Sequence, residues 1–437
     1  MRAMMRQFVT GTALTAVMLS TLAGCGASPS AMNGGRTAGS FGAANTVDGP
    51  DLPMNQLPAE TVVVPDRPTR APQPYTKGNA GKLFVGPPET LSAVLGLING
   101  AKKSIYLETF NMGWESYGEK LVPLLIAKAQ SGVEVKIVMD YIGSRFLANH
   151  KAMVKQLRAG GVEVRIYRPR TVIKDDKRIG VNITHRKIYL ADGTRGLVGG
   201  VNLMKEFDTT SQDVLIEWRG PVISQLYAEF ARDWHTAGGS TLHQQPVDTG
   251  NQGKVDAQVI LTSPGEGRFE AKEVIFRQLE NAQRNIEIEQ QYICDDQMIT
   301  RLHAAVKRGV KVRIIMPEPT HTFVFTNIHM EEMNKLVKEG AEARMYHGNP
   351  ADAHLHAKYV NVDDRWTMCG SINLDTRALI ENQELAVAFT DRELILNMKQ
   401  RLFERDWSSH SDPFVYKPGS WVMKPVRSLL ELLDYYI

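Results

Sequence analysis

Cysteine is scarce, with three in 437 residues, and that excludes a disulfide scaffold. A dominant charge of either sign is missing too. Lys plus Arg total 51 against 48 for Asp plus Glu, a net +3, far from the strongly basic balance of a dedicated nucleic-acid binder. With 43% hydrophobic and 23% charged residues and a mean hydropathy of −0.24, the composition lacks multi-span membrane character and is that of an ordinary globular protein. At about 150 residues per domain the length allows two or three domains and a sizeable core.

The N-terminal residues differ from the rest. Arg2 and Arg6 precede a moderately apolar stretch from Phe8 to Leu22, too short and too rich in Thr and Gly to span a bilayer, so residues 1–24 read as a lipoprotein signal peptide. Leu22-Ala23-Gly24-Cys25 resembles a bacterial lipobox, with Cys25 as the lipidation site and Gly26 after it resembling an outer-membrane address. The expected location is therefore the bacterial cell envelope, lipid-anchored at the outer membrane and facing the periplasm. Residues 25–81, dominated by Gly, Ser, Ala, Asn and Pro, read as a disordered tether. Cys294 and Cys369 lie in or beside apolar runs and read as two buried unpaired thiols.

Laid on itself, the chain shows a repeat of about 175 residues. Lys103-Ser104-Ile105-Tyr106-Leu107-Glu108 matches Arg284-Asn285-Ile286-Glu287-Ile288-Glu289, and Gly132-Val133-Glu134-Val135 matches Gly309-Val310-Lys311-Val312. Helix-like periodic segments such as Glu119–Gln130 and Gln297–Lys307 alternate with short β-rich runs, which predicts an α/β fold. Two pseudo-twofold-related lobes are expected, 82–246 and 255–412, each a mixed sheet flanked by helices with the active site between them. Polar Pro246–Lys254 divides them.

The most informative match sets His185, Lys187 and Asp192 against His356, Lys358 and Asp363. Both copies read H-x-K-x4-D, and both continue to Gly-x-x-Asn, ending at Asn202 and Asn373. A carboxylate follows each His 28 positions later, Asp213 and Glu384. A single His-x-Lys reads as a solvated strand edge as readily as a site; two in register with matching Asp, Asn and carboxylate do not. A strand places each His and its Lys on one face, so the pseudo-twofold gathers two imidazoles and two ammonium groups around one point. Phosphodiester transfer needs those parts. One neutral His attacks phosphorus while the other, protonated, gives its proton to the leaving oxygen and then takes one from water or an alcohol. Lys187, Lys358, Asn202 and Asn373 bind the phosphate oxygens, and Asp213 and Glu384 orient the imidazoles. The lysines supply the positive charge, so no metal and no cofactor is expected. Asp192 and Asp363 complete the catalytic set of His185, Lys187, His356 and Lys358, but at an odd spacing from their histidines they are assigned to holding the motif's backbone and loops instead of to proton transfer.

These residues resemble the phospholipase D superfamily with its paired HKD motifs, and within it most closely bacterial cardiolipin synthases. The supporting segments include Asp140-Tyr141-Ile142-Gly143-Ser144, Gly199-Gly200-Val201-Asn202, Gln291-Tyr292-Ile293 and Gly370-Ser371-Ile372-Asn373-Leu374-Asp375. The resemblance implies two phospholipase D-like lobes, a phosphohistidine intermediate and phosphatidyl transfer to an alcohol. It also implies His185 as nucleophile, oriented by Asp213, and His356 as acid and base, oriented by Glu384; the residues themselves leave the two roles interchangeable. Many cardiolipin synthases begin with membrane-spanning helices where this chain carries a lipoprotein signal, and Thr184 stands where many carry Asn.

Two surface features stay open. Arg168, Arg170, Lys174, Lys177 and Arg178, diluted by Asp175 and Asp176, read either as a contact for anionic headgroups or as a solvated loop. The amphipathic tail 413–437 reads as an interfacial helix or as a segment packed on the body. The expected partners are a phospholipid substrate and a membrane surface, with no stable nucleic-acid partner and a monomeric state. A phospholipase D hydrolase and, further off, a nuclease or phosphodiesterase of the same superfamily remain as alternatives.

Overall fold

The computed structural model describes residues 61–65, 68–145, 147–317, 323–348 and 354–416. The first half runs β1 (Thr76–Val85), α1 (Pro87–Gly100), β2 (Ser104–Thr109), α2 (Glu119–Gln130), β3 (Glu134–Asp140), α3 (His150–Ala159), β4 (Glu163–Tyr167), β5 (Ile188–Ala191), β6 (Arg195–Gly199), β7 (Val214–Arg219) and α4 (Val222–Thr236). The second repeats it with β8 (Val255–Ser263), α5 (Glu270–Asn281), β9 (Asn285–Gln290), α6 (Asp296–Lys307), β10 (Lys311–Pro317), α7 (Phe323–Glu339), β11 (Glu342–Tyr346), β12 (Lys358–Val362), β13 (Trp366–Gly370), β14 (Glu384–Phe389) and α8 (Arg392–Met398).

Local chemistry accounts for these boundaries. Pro87 opens α1, where its missing N–H has no helical partner to lose. Asp295 and Asp391 cap α6 and α8, accepting from Met298 N at 3.0 Å and Leu394 N at 2.9 Å. In α2 the buried residues Leu121, Val122 and Leu125 recur at helical spacing. All residues of β2 are buried, as expected of a strand in the parallel part of a sheet with helices on both faces.

The strands form one continuous sheet in the order β11-β10-β9-β12-β13-β14-β8-β1-β7-β6-β5-β2-β3-β4. Read outward from the β8–β1 seam, the two halves have the same order, which is the pseudo-twofold read from the repeat. The outer strands β2, β3 and β4 are parallel, the inner ones antiparallel, so each half is a mixed sheet. At the seam β1 and β8 pair antiparallel, Asn79 opposite Val255. A large apolar cluster spans both halves beneath it, with Trp218 edge-on to Phe389 at 5.5 Å, and helices α4 and α8 packed against it. Burial shared in this way makes the lobes one folding body.

The structure corrects the tether boundary. Residues 61–65 and 68–81 belong to the fold: Thr61–Val63 pairs parallel with Thr171–Ile173, and β1 is a central strand. Two glycines and polar neighbours hide β1 in the sequence, yet its backbone bonds both β7 and β8. The basic stretch is likewise no open loop. Arg170–Lys174 and Lys177–Asn182 form a hairpin turned by Asp175 and Asp176 at φ 50° and 58°. Arg170 donates to Asn182 Oδ1 at 3.0 Å and to the Tyr167 hydroxyl. Cys369 is buried as expected, but Cys294 is only half-buried; no disulfide joins them. Where the C-terminal tail begins, Ser411–Pro413 adds to the edge strand β11, and 417–437 lies outside the described residues.

Candidate active site

The H-x-K segments sit where the chain enters β5 and β12. Thr184 bridges Gln383 in parallel, and Ser211–Gln212 pairs with His354–Leu355, so each motif is stitched to the opposite half. The histidine N–H groups complete the stitch: His185 N donates to Gln383 O and His356 N to Gln212 O, both at 2.9 Å. His185 and Lys187 precede β5 in irregular backbone instead of lying within a strand. There Lys187 Nζ folds back onto His185 O at 2.7 Å, as Lys358 Nζ does onto His356 O at 2.6 Å.

This crossing corrects the pairing of each imidazole with its carboxylate. Nδ1 of His185 contacts Glu384 Oε1 at 3.0 Å, and Nδ1 of His356 contacts Asp213 Oδ2 at 2.6 Å. Each carboxylate thus serves the histidine of the other half, because the strand stitches place β14 beside the first motif and β7 beside the second. Both contacts engage Nδ1, which leaves Nε2 as the reactive nitrogen of each ring.

All of these groups are buried. Burial, reinforced by Lys187 and Lys358 and opposed by Glu384, pushes His185 down to about 4. Burial, Lys358, His354, Lys187 and His185 push His356 the same way. The strand stitches set the two motifs side by side. Burial pushes Asp213 up to about 7 against the pull of Lys358 and the Val214 N–H. Asn202 and Asn373 are 1% and 9% exposed, and the Oδ1 of each has no partner among the described residues.

Asp192 and Asp363 bind backbone N–H groups. Asp192 accepts from Lys102 N, Lys103 N and Ser104 N at 2.7–3.0 Å, and Asp363 from Gln283 N, Arg284 N and Asn285 N over the same range. Both sit at positive φ, 56° and 57°, closing the turn after β5 and β12 onto the start of β2 and β9. They tie backbone and lie at the far end of each strand from its histidine.

Several neighbours escaped the sequence reading. Phe110 stands edge-on to His185 at 5.2 Å and Phe207 to His356 at 4.8 Å; both come from the first half, so the repeat gave no signal for them. Asp140 accepts from Thr184 N and Gly143 N at 2.9 Å each, pinning the residue before His185. Its only signal was the Asp-Tyr-Ile-Gly-Ser segment. Ser371 donates to Glu384, whereas the equivalent Gly200 leaves room for Asp213: a Cβ there would meet its Oδ1 at 2.5 Å. Cys25 lies outside the described residues.

Comparison with known proteins gives the family. Residues 94–234 and 275–407, one segment around each motif, match the family described as cardiolipin synthase, PLD-like domain. The chain is 30% identical over 341 residues to cardiolipin synthase A of Pseudomonas entomophila, covering 75% of this chain and 69% of that one. It is 29% identical over 343 residues to the cardiolipin synthase of Oceanobacillus iheyensis, covering 76% and 69%. Among solved structures, the phosphatidylserine synthase of Haemophilus influenzae superposes with a TM-score of 0.58 at 15% identity, over 82% of this chain and 94% of that one. That likeness shows the fold. Cardiolipin synthases are inner-membrane enzymes, and this overturns the outer-membrane, lipid-anchored location expected from Leu22 to Cys25. Among the described residues no helix is long and apolar enough to cross a membrane. With both motif copies inside the matched segments, the chain belongs to the phospholipase D superfamily, in its cardiolipin synthase family of enzymes.

Proposed function

We propose that this enzyme transfers a phosphatidyl group from one phospholipid to an alcohol on a second, as in cardiolipin synthesis, through a phosphohistidine. The observation that carries the reading is the pair of buried imidazoles, each held at Nδ1 by the other half's carboxylate. His185 Nε2 attacks phosphorus, the P–O bond to the headgroup breaks, and His356 Nε2–H protonates the leaving alkoxide. The acceptor hydroxyl then loses its proton to His356 and attacks phosphorus, breaking the P–N bond and freeing His185. Lys187, Lys358, Asn202 and Asn373 donate to the phosphate oxygens as charge builds there.

The unlike carboxylates support this division of roles. Glu384 accepts from the Ser371 hydroxyl and faces Nδ1 of His185, an arrangement in which His185 keeps its proton on Nδ1 and a lone pair on Nε2. Asp213 is raised by burial, and the pair it forms with His356 retains a proton near neutrality. Whether that proton sits on Asp213 or on Nδ1, a neutral pair carries Nε2–H, the acid the leaving oxygen needs. An anionic phosphodiester between the motifs offsets the lysines and restores basicity to both rings.

Hydrolysis uses the same base with water as acceptor, so product analysis separates the two outcomes. Purified protein incubated with phosphatidylglycerol vesicles is expected to give cardiolipin and glycerol by mass spectrometry. Phosphatidic acid as the sole lipid product makes the enzyme a hydrolase, and no turnover removes the proposal.

A further inference from the structure

Away from the histidines, a cavity of about 460 Å³ opens between α5, α6, the tip of the Arg170–Asn182 hairpin and the segment at Val64. Its floor is apolar, with Phe269 and Phe276 buried to 7% and 5% exposure and Ile380 beside them. Its rim is cationic. Lys174, Lys272, Arg277 and Arg301 line it against the two carboxylates of Glu273 and Glu280.

These cations are poorly neutralised. Arg301 donates to Glu280 Oε1 at 2.8 Å and lies 4.0 Å over the Phe276 ring, but Lys174, Lys272 and Arg277 make no ion pair among the described residues. The Lys272 ammonium stands 5.4 Å over the same ring. Burial pushes it down, and the charges of Lys174 and Arg301 add to that push against the pull of Asp295. Like charges gathered at the mouth of an apolar cavity destabilise the empty protein, and an anion among them reverses the sign.

We propose that this cavity binds an anionic amphiphile, its phosphate or carboxylate head among Lys174, Lys272 and Arg277 and its alkyl chain on Phe269, Phe276 and Ile380. A bare anion leaves the aromatic floor uncovered, and a neutral chain leaves the cations unpaired; the volume suits a head with part of a chain. In the setting of the proposed function the natural source is a membrane phospholipid. Lys174 lies on the hairpin that leads to His185, and Ile380 on the segment that leads to Glu384, so an occupant bridges the two chain segments that build the first imidazole pair.

The test is calorimetric binding to the full chain carrying His356→Ala, which removes turnover. The probes are octyl phosphate below its micellar concentration, inorganic phosphate and octyl glucoside. Octyl phosphate is expected to bind at least about tenfold more tightly than either of the others. The double variant Lys174→Glu/Lys272→Glu is expected to lose about tenfold or more of that affinity, and Arg277→Glu alone about threefold. Arg277 is exposed, so that variant tests the site even where the double variant folds poorly. Equal binding of inorganic phosphate or octyl glucoside, or unchanged octyl phosphate affinity in folded variants, overturns the site. Sedimentation with phosphatidylglycerol–phosphatidylcholine vesicles asks whether the membrane is the source: the variants sediment less if it is, and unchanged sedimentation contradicts that assignment. A chain that binds octyl phosphate here yet makes no cardiolipin keeps this inference and loses the proposed function; the reverse result loses only the cavity.

Discussion

Glu384, in the second half of the repeat, holds Nδ1 of His185 in the first, with Oε1 at 3.0 Å. Asp213 returns the contact to His356 at 2.6 Å. Neither imidazole is therefore oriented by its own half, and the proposed centre exists only where the two halves are stitched together.

Removing charge from the two carboxylates is expected to give different pH profiles. Glu384→Gln lowers kcat by about 10²–10⁴ at every pH, because the nucleophile loses its orienting acceptor. Asp213→Asn removes the group that is pushed up to about 7, so its loss grows as pH climbs from 5 toward 7, the range in which the wild-type pair still holds a proton that the lone His356 has given up. Steady-state rates from pH 5 to 9 on a short-chain phospholipid check this; parallel profiles for the two variants would contradict unlike roles.

The space above Asp213 depends on a missing side chain. Gly200→Ala places a methyl group 2.5 Å from Asp213 Oδ1, so the carboxylate must shift from His356. A fall in kcat of about tenfold or more is expected, with KM moving little, since a misplaced catalytic group costs rate before binding. Gly96→Ala in α1, where a Cβ meets nothing within 4 Å, serves as the comparison and is expected to stabilise by about 0.5–1 kcal/mol. Unaltered kcat in a folded Gly200→Ala protein would place the Asp213 contact outside the mechanism.

Asp140 supplies a stability test with a definite sign. Burial pushes its carboxyl from 3.8 up to about 7 against the donors Gly143 N and Thr184 N. A raised native pKa favours the fold below the unfolded value, and that contribution is lost as pH climbs through the native one. Asp140→Asn does not titrate, so its Tm relative to wild type is expected to rise by several degrees between pH 5 and 8. A difference that stays flat or falls over that range would show that Asp140 is not raised.

The repeat and the paired motifs were legible because each is a matter of spacing along the chain, written twice. The exchange of Asp213 and Glu384 was not. A fixed interval of 28 residues says that a carboxylate accompanies each histidine, but which histidine it meets is set by the pairing of Thr184 with Gln383 and of Gln212 with Leu355. Phe110 and Phe207 read as ordinary core residues, since each occurs once and aromatic burial has many causes. Strand β1 was hidden for the opposite reason: Gly78 and Gly81 look like linker chemistry, yet both fit beside close neighbours, with Leu394 filling the place of a Cβ at Gly81.

The proposed mechanism turns on a covalent phosphohistidine formed by one nitrogen, His185 Nε2. Rapid acid or denaturant quench of enzyme turning over phosphatidylglycerol, followed by peptide mass spectrometry at a pH that preserves phosphoramidates, locates the adduct. A phosphatidyl group is expected on the peptide containing His185, accumulating further in His356→Ala, where the acid and base is missing and a good leaving group is supplied. An adduct on His356 would reverse the two roles. No adduct on either histidine, with inversion at a chiral phosphorus, would contradict the covalent mechanism.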